Sequence, residues 1–207
     1  MTVIPFSSAF RARTGESGHI LKTAAGMFAK KGYHRTTVDE IARALGVAKG
    51  TIYYHFKSKE ELYLAIIQEG IYLLEERMRK DLPGAKTPAE KIKIIIGSML
   101  SFIEDEKDLV FLFIQELCGR DIQREVLARM LSGSLGIIRG IIEEGIIDRS
   151  FKKVDPEITT SSMYGMILIS ALHYISYAKP IPHDQVITAI EKVFFEGVLQ
   201  PDYREGL

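Results

Sequence analysis

The sequence predicts an all-α protein, with an N-terminal three-helix unit containing a helix-turn-helix and a larger helical C-terminal domain. Three observations carry that prediction. Apolar residues recur at intervals of three and four along most of the chain. Boxes of the form Ser/Thr-x-x-Glu stand before several of these runs, as "TVDE", "SKEE" and "TPAE". Two short helical segments near the N-terminus are separated by a tight turn containing glycine.

Composition narrows the class. The chain has 207 residues and 46% apolar content, enough for one or two buried cores. A single cysteine, Cys118, makes no internal disulfide, and the five histidines form no cluster at zinc-ligand spacing, so neither a metal nor another cofactor is expected. The N-terminus lacks a basic region ahead of its apolar residues, Pro5 interrupts them, and no apolar run reaches about 18 residues. The expectation is a cytoplasmic protein without a membrane partner. The net charge of zero conceals an asymmetry: residues 1–60 hold ten basic and four acidic side chains (10 − 4 = +6), and the remainder offsets it. A basic front on an acidic body points to a polyanion at the front.

The elements follow in order. Residues 1–15 are expected to be a flexible arm, and 16–62 the helix-turn-helix domain. Ile20, Leu21, Ala24, Ala25 and Phe28 share a helical face, with Lys30, Lys31 and Gly32 as the basic end and stop, giving a helix over about 17–31. Thr37 and Glu40 form a capping box that opens a second helix carrying Ile41, Ala44 and Leu45 and ending near Gly46. A third helix is read over about 49–55. Ser58 and Glu61 open a fourth, which continues to about residue 80 as a connector.

The stretch "GVAKGTIYYHFKSKEEL" concentrates the chemistry. A helix that reads a DNA groove needs donors for phosphates, flat amphipathic side chains and a small residue where its N-terminus approaches the duplex. Lys49, Gly50, Thr51, Tyr53, Tyr54, His55 and Lys59 supply these types, and Ile52 and Phe56, four apart, face a small core. Each alone also fits an ordinary surface. Together, two aromatics beside lysines call for a surface to cover.

Residues 20–67, "ILKTAAGMFAKKGYHRTTVDEIARALGVAKGTIYYHFKSKEELYLAII", closely resemble the N-terminal DNA-binding domain of the TetR family of transcriptional regulators. The resemblance implies phosphate contacts from Thr37, Tyr54, His55 and Lys59, and approach to base edges by Lys49, Gly50, Thr51 and Tyr53. Ala48 departs from the pattern, standing where a serine often caps the reading helix, so that cap must come from elsewhere.

Residues 81–87, "DLPGAKT", mark the boundary to a domain expected over 81–207. Thr87, Pro88 and Glu90 start a helix whose buried stripe is Ile92, Ile95, Ile96, Met99, Leu100 and Ile103. "LVFLFI" at 109–114 fits a strand or a buried helix, and the helical surroundings favour the helix. Apolar pairs then recur from Asp121 to Ile147, with Gly133, Gly136 and Gly140 set three and four apart as a ridge for close approach, more naturally by a packing helix than by a ligand. "EEGIIDRSFKKVDPE" reads as a loop, Asp155 and Pro156 open a helix ended by "KPIP", and a last helix covers about 184–199.

For this second domain the family resemblance implies an effector pocket among the middle helices and a homodimer through the last two. Candidates to line the pocket are Phe102, Phe113, Cys118, Met130, Gly136, Met163, Met166, Ser170, His173, Tyr174 and Tyr177, though each also fits a helical core. His173 reads equally as a hydrogen-bonded interior histidine. Their apolar character favours a hydrophobic small-molecule effector. Met163, Ile167, Phe194 and Val198 are the candidates for the dimer interface.

The enzyme class finds little support. There is no nucleophile elbow, phosphate-cradling glycine loop or zinc motif; Cys118 sits in an apolar segment, and the adjacent Glu143 and Glu144 diverge by about 100° on a helix. The expected function is a dimeric repressor that binds a pseudo-palindromic double-stranded operator and is released by its effector. A TetR-like DNA-binding protein without an effector, and an activator, are the competing forms.

Overall fold

The computed structural model describes residues 15–118, 124–176 and 182–198. These form nine α-helices: α1 (Glu16–Lys31), α2 (Val38–Leu45), α3 (Lys49–His55), α4 (Lys59–Asp81), α5 (Pro88–Asp105), α6 (Lys107–Cys118), α7 (Arg124–Ile147), α8 (Pro156–Ser176) and α9 (His183–Val198), with a 3-10 turn at Leu82–Gly84. The chain divides into two units at Gly70 and Ile71, inside α4, and the Pro/Gly turn after α4 belongs to the second unit. Most of the predicted flexible arm lies outside the described residues.

The first unit is built around the apolar face of α1. Ile20, Ala24, Ala25 and Phe28 are buried there together with Ile41 of α2, Ile52 of α3 and Leu62 and Ile66 of α4. Removing a side chain such as Ile52 from water contributes roughly 1.5–3 kcal/mol. Because α3 has only seven residues, that anchor and Phe56 just beyond it fix which of its faces points outward.

In the second unit α7 packs against α5 and α8, and α6 against α5 and α8. The stripe predicted for α5 is buried throughout, from Ile92 to Ile103. "LVFLFI" is helical, with Val110, Leu112, Phe113 and Ile114 buried. Polar pairs pin the ends of the layers: Lys91 of α5 to Glu144 of α7 at 2.6 Å, Ser98 of α5 to Asp81 of α4 at 2.7 Å, and Arg139 of α7 to Glu157 of α8 at 3.2 Å.

One expected loop is shorter than read. Residues 143–147 remain in α7, and the connection to α8 begins only at Asp148. Gly145 does not break the helix. It makes room for the Phe151 ring, which folds back so closely that a Cβ at 145 would overlap it, while the Phe151 amide donates to the Gly145 carbonyl at 2.8 Å. The reversal is made by Arg149 at φ 66° and by Asp148, whose carboxylate accepts from the Ser150 amide at 2.9 Å.

Candidate nucleic-acid interface

The helix-turn-helix comprises α2, a short turn and α3. Thr37 caps α2 as the sequence predicts: the Glu40 amide donates to Thr37 Oγ1 at 3.2 Å, and the Thr37 amide donates to Glu40 Oε2 at 3.0 Å. Lys31 of α1 adds a bond to Glu40 at 2.9 Å. These bonds, Lys31 first and Thr37 second, hold the Glu40 carboxyl down from 4.5 to about 2. The helix ends in a Schellman turn, with the Gly46 amide on the Arg43 carbonyl at 3.2 Å and the Val47 amide on the Ala42 carbonyl at 3.0 Å. Gly46 sits at φ 70°, a conformation that favours glycine.

At the start of α3, Ala48 offers no side-chain cap, and the Thr51 amide bonds to the Ala48 carbonyl at 2.9 Å instead. Ile52 and Phe56 point inward. On the opposite side Lys49, Gly50, Tyr53 and Tyr54 form one exposed face, with Lys49 above Tyr53 and Gly50 above Tyr54 at a spacing of four. Tyr54 is 78% exposed, a large figure for an aromatic side chain, and its ring stands 5.2 Å from that of His55. Among the described residues nothing beyond its own helix lies within 4 Å of where a Cβ on Gly50 would stand, so packing among them does not demand a glycine there. Thr51 and His55 flank this face, half-buried, and His55 Nε2 stands 3.4 Å from Glu16 Oε2.

Thr37 is exposed at the head of α2. Lys59, the first residue of α4, lies with its ammonium 4.3 Å from the centre of the Tyr33 ring. Tyr33 is itself held against Tyr63 and Phe28, at ring separations of 4.8 and 5.7 Å. Lys59 and Tyr33 are both partly exposed, and a cation over an aromatic face is worth ~0.5–1 kcal/mol even at an exposed site, enough to orient a long side chain. The Ser58 hydroxyl accepts from the Glu61 amide at 3.0 Å, but the Glu61 carboxylate reaches the Lys57 amide rather than that of Ser58, so the second box closes one residue early.

Comparison with known proteins places this geometry. Residues 20–66 match the family described as bacterial regulatory proteins, tetR family, and residues 85–172 match the tetracyclin repressor-like C-terminal domain. The fatty acid metabolism regulator protein of Bacillus subtilis is 31% identical over 150 residues, 72% of this chain and 77% of that one. The chain belongs to the tetR family of bacterial regulatory proteins. Among solved structures, the transcriptional regulator FadR from Bacillus subtilis in complex with stearoyl-CoA superposes on this tetR-family chain with a TM-score of 0.81 at 26% identity, covering 88% of this chain and 99% of its own. The HTH-type transcriptional repressor KstR2 of Mycolicibacterium smegmatis is 28% identical over 78% of each chain. The relatives are transcription regulators, and the tetR fold accounts for the all-helical architecture.

In the second unit of this tetR-family protein, Phe102, Phe113 and Met163 are buried, while Met130, Gly136, Met166 and Ser170 are partly exposed. The Ser170 hydroxyl donates to the Met166 carbonyl at 2.8 Å. The side chains of Cys118, His173 and Tyr174, and all of Tyr177, lie outside the described residues. The glycine ridge divides. Gly133 meets the carboxyl of Glu75, whereas among the described residues nothing beyond their own helix lies within 4 Å of where a Cβ on Gly136 or Gly140 would stand, so packing among those residues explains only the first.

Met163, Ile167, Phe194 and Val198, the residues expected at the dimer interface, are all buried within one chain, in a unit where α8 packs on α5, α6 and α7 and α9 packs on α5 and α8. Among the described residues, the large apolar side chains that these two helices leave exposed are Ile158 and Ile169 on α8 and Val193 on α9. Helix α8 is apolar on nearly every side, so periodicity alone does not distinguish its two faces.

Several residues of these sites were missed by sequence reasoning. Thr36 is fully buried, its hydroxyl on the Gly32 carbonyl at 2.9 Å, and it anchors the turn that presents Thr37. Asp39 carries the ion pair of Lys49 at 2.6 Å. On α8 the buried Thr160 hydroxyl finds no hydrogen-bond partner among the described residues, one turn before the buried Tyr164. Burial raises the Tyr164 hydroxyl to about 12 despite a bond with Ser134. Only the doublet of threonines at 36 and 37 carried a signal in the sequence.

Proposed function

We propose that this chain is a transcriptional repressor that binds a pseudo-palindromic operator as a homodimer and is released by a long-chain acyl-CoA. The observation that carries the reading is the similarity, over 99% of its length, to a regulator whose structure holds stearoyl-CoA. The interior of the second unit is chemically suited to an acyl chain: Phe102, Phe113 and Met163 are apolar and buried, and Thr160 offers a hydroxyl without a hydrogen-bond partner among the described residues.

Thr37, Tyr54, His55 and Lys59 serve as phosphate contacts in this proposal, and Lys49, Gly50, Thr51 and Tyr53 meet base edges. Two copies present two reading helices, so operator half-sites lie about 34–36 Å apart or at a multiple of that distance. The dimer forms through α8 and α9 along Ile158, Ile169 and Val193, where among the described residues nothing beyond their own helix lies within 4 Å of where a Cβ on Gly165 or Gly197 would stand, leaving room for close helix approach. Helix α4 links the units without a break from Lys59 to Asp81 and carries the response.

The test is fluorescence anisotropy on a duplex recovered by the protein from a randomised pool, with stearoyl-CoA, stearate and CoA added in turn. Stearoyl-CoA should weaken binding tens-fold, a coupling of ~1–3 kcal/mol, with stearate and CoA alone much less effective. Undiminished binding with stearoyl-CoA removes the proposed effector, and equal release by CoA alone removes the acyl pocket.

A further inference from the structure

Lys49 opens the helix that faces outward, yet its charge does not stand alone. Its Nζ lies 2.6 Å from Asp39 Oδ2, in the first turn of α2, and 5.9 Å from the centre of the Tyr53 ring, one turn further along α3. The bond to Asp39 raises the Lys49 pKa. The pair bridges the two helices of the helix-turn-helix, and both partners are about half-exposed.

The neighbouring acid has a different duty. Glu40 closes the cap of α2 and holds Lys31, whereas Asp39 takes no part in the capping box and reaches across to the outward face. An uncompensated carboxylate on a surface that meets phosphates repels them. Beside Lys49 it has two consequences. It cancels the contribution of one lysine to the sequence-independent attraction, and it fixes where that lysine points before DNA arrives. Base edges are read by directed hydrogen bonds, and phosphates chiefly by charge, so the same contact lowers non-specific binding while preserving the direction needed for reading.

We infer that Asp39 is a specificity-determining residue: by pairing with Lys49 it confines that lysine to base-edge recognition and keeps it from acting as a general phosphate anchor. The assignment rests on the reading of α3 as the groove-entering helix.

The experiment uses the full chain, Asp39→Asn, Lys49→Ala and the double variant, with two probes: a 30-base-pair duplex of random sequence and a duplex recovered by the parent protein from a randomised pool. Binding to each is measured as a function of salt. For Asp39→Asn the log–log slope on the random duplex should steepen by about 0.9, the value for one added phosphate contact. Its affinity for that duplex should rise, and the ratio of selected to random binding should fall about tenfold or more. In the double variant the added slope should vanish, because the lysine that produced it is gone. A role confined to the N-terminus of α2 would shift the unfolding temperature and leave slope and ratio unmoved, and that result overturns the inference. If the parent binds the selected duplex no better than the random one, the reading of α3 fails and the inference with it. If the parent discriminates and Asp39→Asn matches it, only the assignment of Asp39 fails.

Discussion

The carboxyl group of Glu75, on α4, occupies the space that a Cβ on Gly133 of α7 would need. Burial pushes the Glu75 pKa up from 4.5, against smaller opposing effects of Arg79 and of a bond from the Ser134 backbone. A helix-interior glycine, which costs about 1 kcal/mol relative to alanine, thus lets an acid of the connecting helix reach the α7 backbone. The same geometry separates glycines that look alike in sequence.

Gly145→Ala should destabilise the protein by about 1–3 kcal/mol, because its Cβ would meet the buried Phe151 ring. Gly136→Ala meets nothing beyond its own helix within 4 Å among the described residues and should stabilise the effector-free chain by roughly 0.5–1 kcal/mol. Gly133→Ala displaces only the end of a flexible side chain, so stability should change by less than about 1 kcal/mol. Thermal unfolding of the three variants gives the order; equal effects at 136 and 145 would contradict it.

Two carboxyls give opposite pH signatures. Glu40 is held down to about 2 from 4.5, so its contribution to stability is present above 4.5 and is lost as pH falls from there through about 2. Urea unfolding of Glu40→Gln between these limits should show a flatter pH dependence than the parent. Glu75 is shifted upward, so its protonated form is favoured in the folded state, and stability falls as pH rises from 4.5 through its raised value. Glu75→Gln should remove that decline.

Tyr54→Ala should leave stability within about 0.5 kcal/mol, since the side chain is mostly exposed, and should still weaken binding to every duplex. Lys59→Ala should lower affinity on all sequences and reduce the log–log salt slope by about 0.9. Both are read by anisotropy titrations at several salt concentrations. Unaltered binding by both variants would place the DNA-contacting face elsewhere.

Neighbouring residues on α9 should behave differently. Val193 is 62% exposed and Phe194 is buried. Val193→Asp should produce folded monomers with weakened operator binding, since the avidity of two linked reading heads is lost. Phe194→Asp buries a charge without a partner and should unfold the second unit. Sedimentation and circular dichroism distinguish these outcomes, and an unchanged Val193→Asp dimer would move the interface off this face.

What the sequence determined by itself was local or repeated. The boxes at Thr37 and Thr87 and the stop at Gly46 act over three or four residues, a separation set by helix geometry alone, and all three stand where the sequence placed them. The α5 stripe was legible because one face is apolar and the other is not. Tertiary structure decided the rest. Asp39 and Lys49 lie ten residues apart and meet only because the Schellman turn brings the starts of α2 and α3 together. Gly133, Gly136 and Gly140 are one pattern in sequence, yet only the first faces the connecting helix. Val193 and Phe194 are adjacent apolar residues about 100° apart around α9, and which one is buried depends on the neighbours that α9 finds. Periodicity reports that a helix has faces; it carries no information about what lies opposite each of them, because that is set by contacts between residues far apart in the chain.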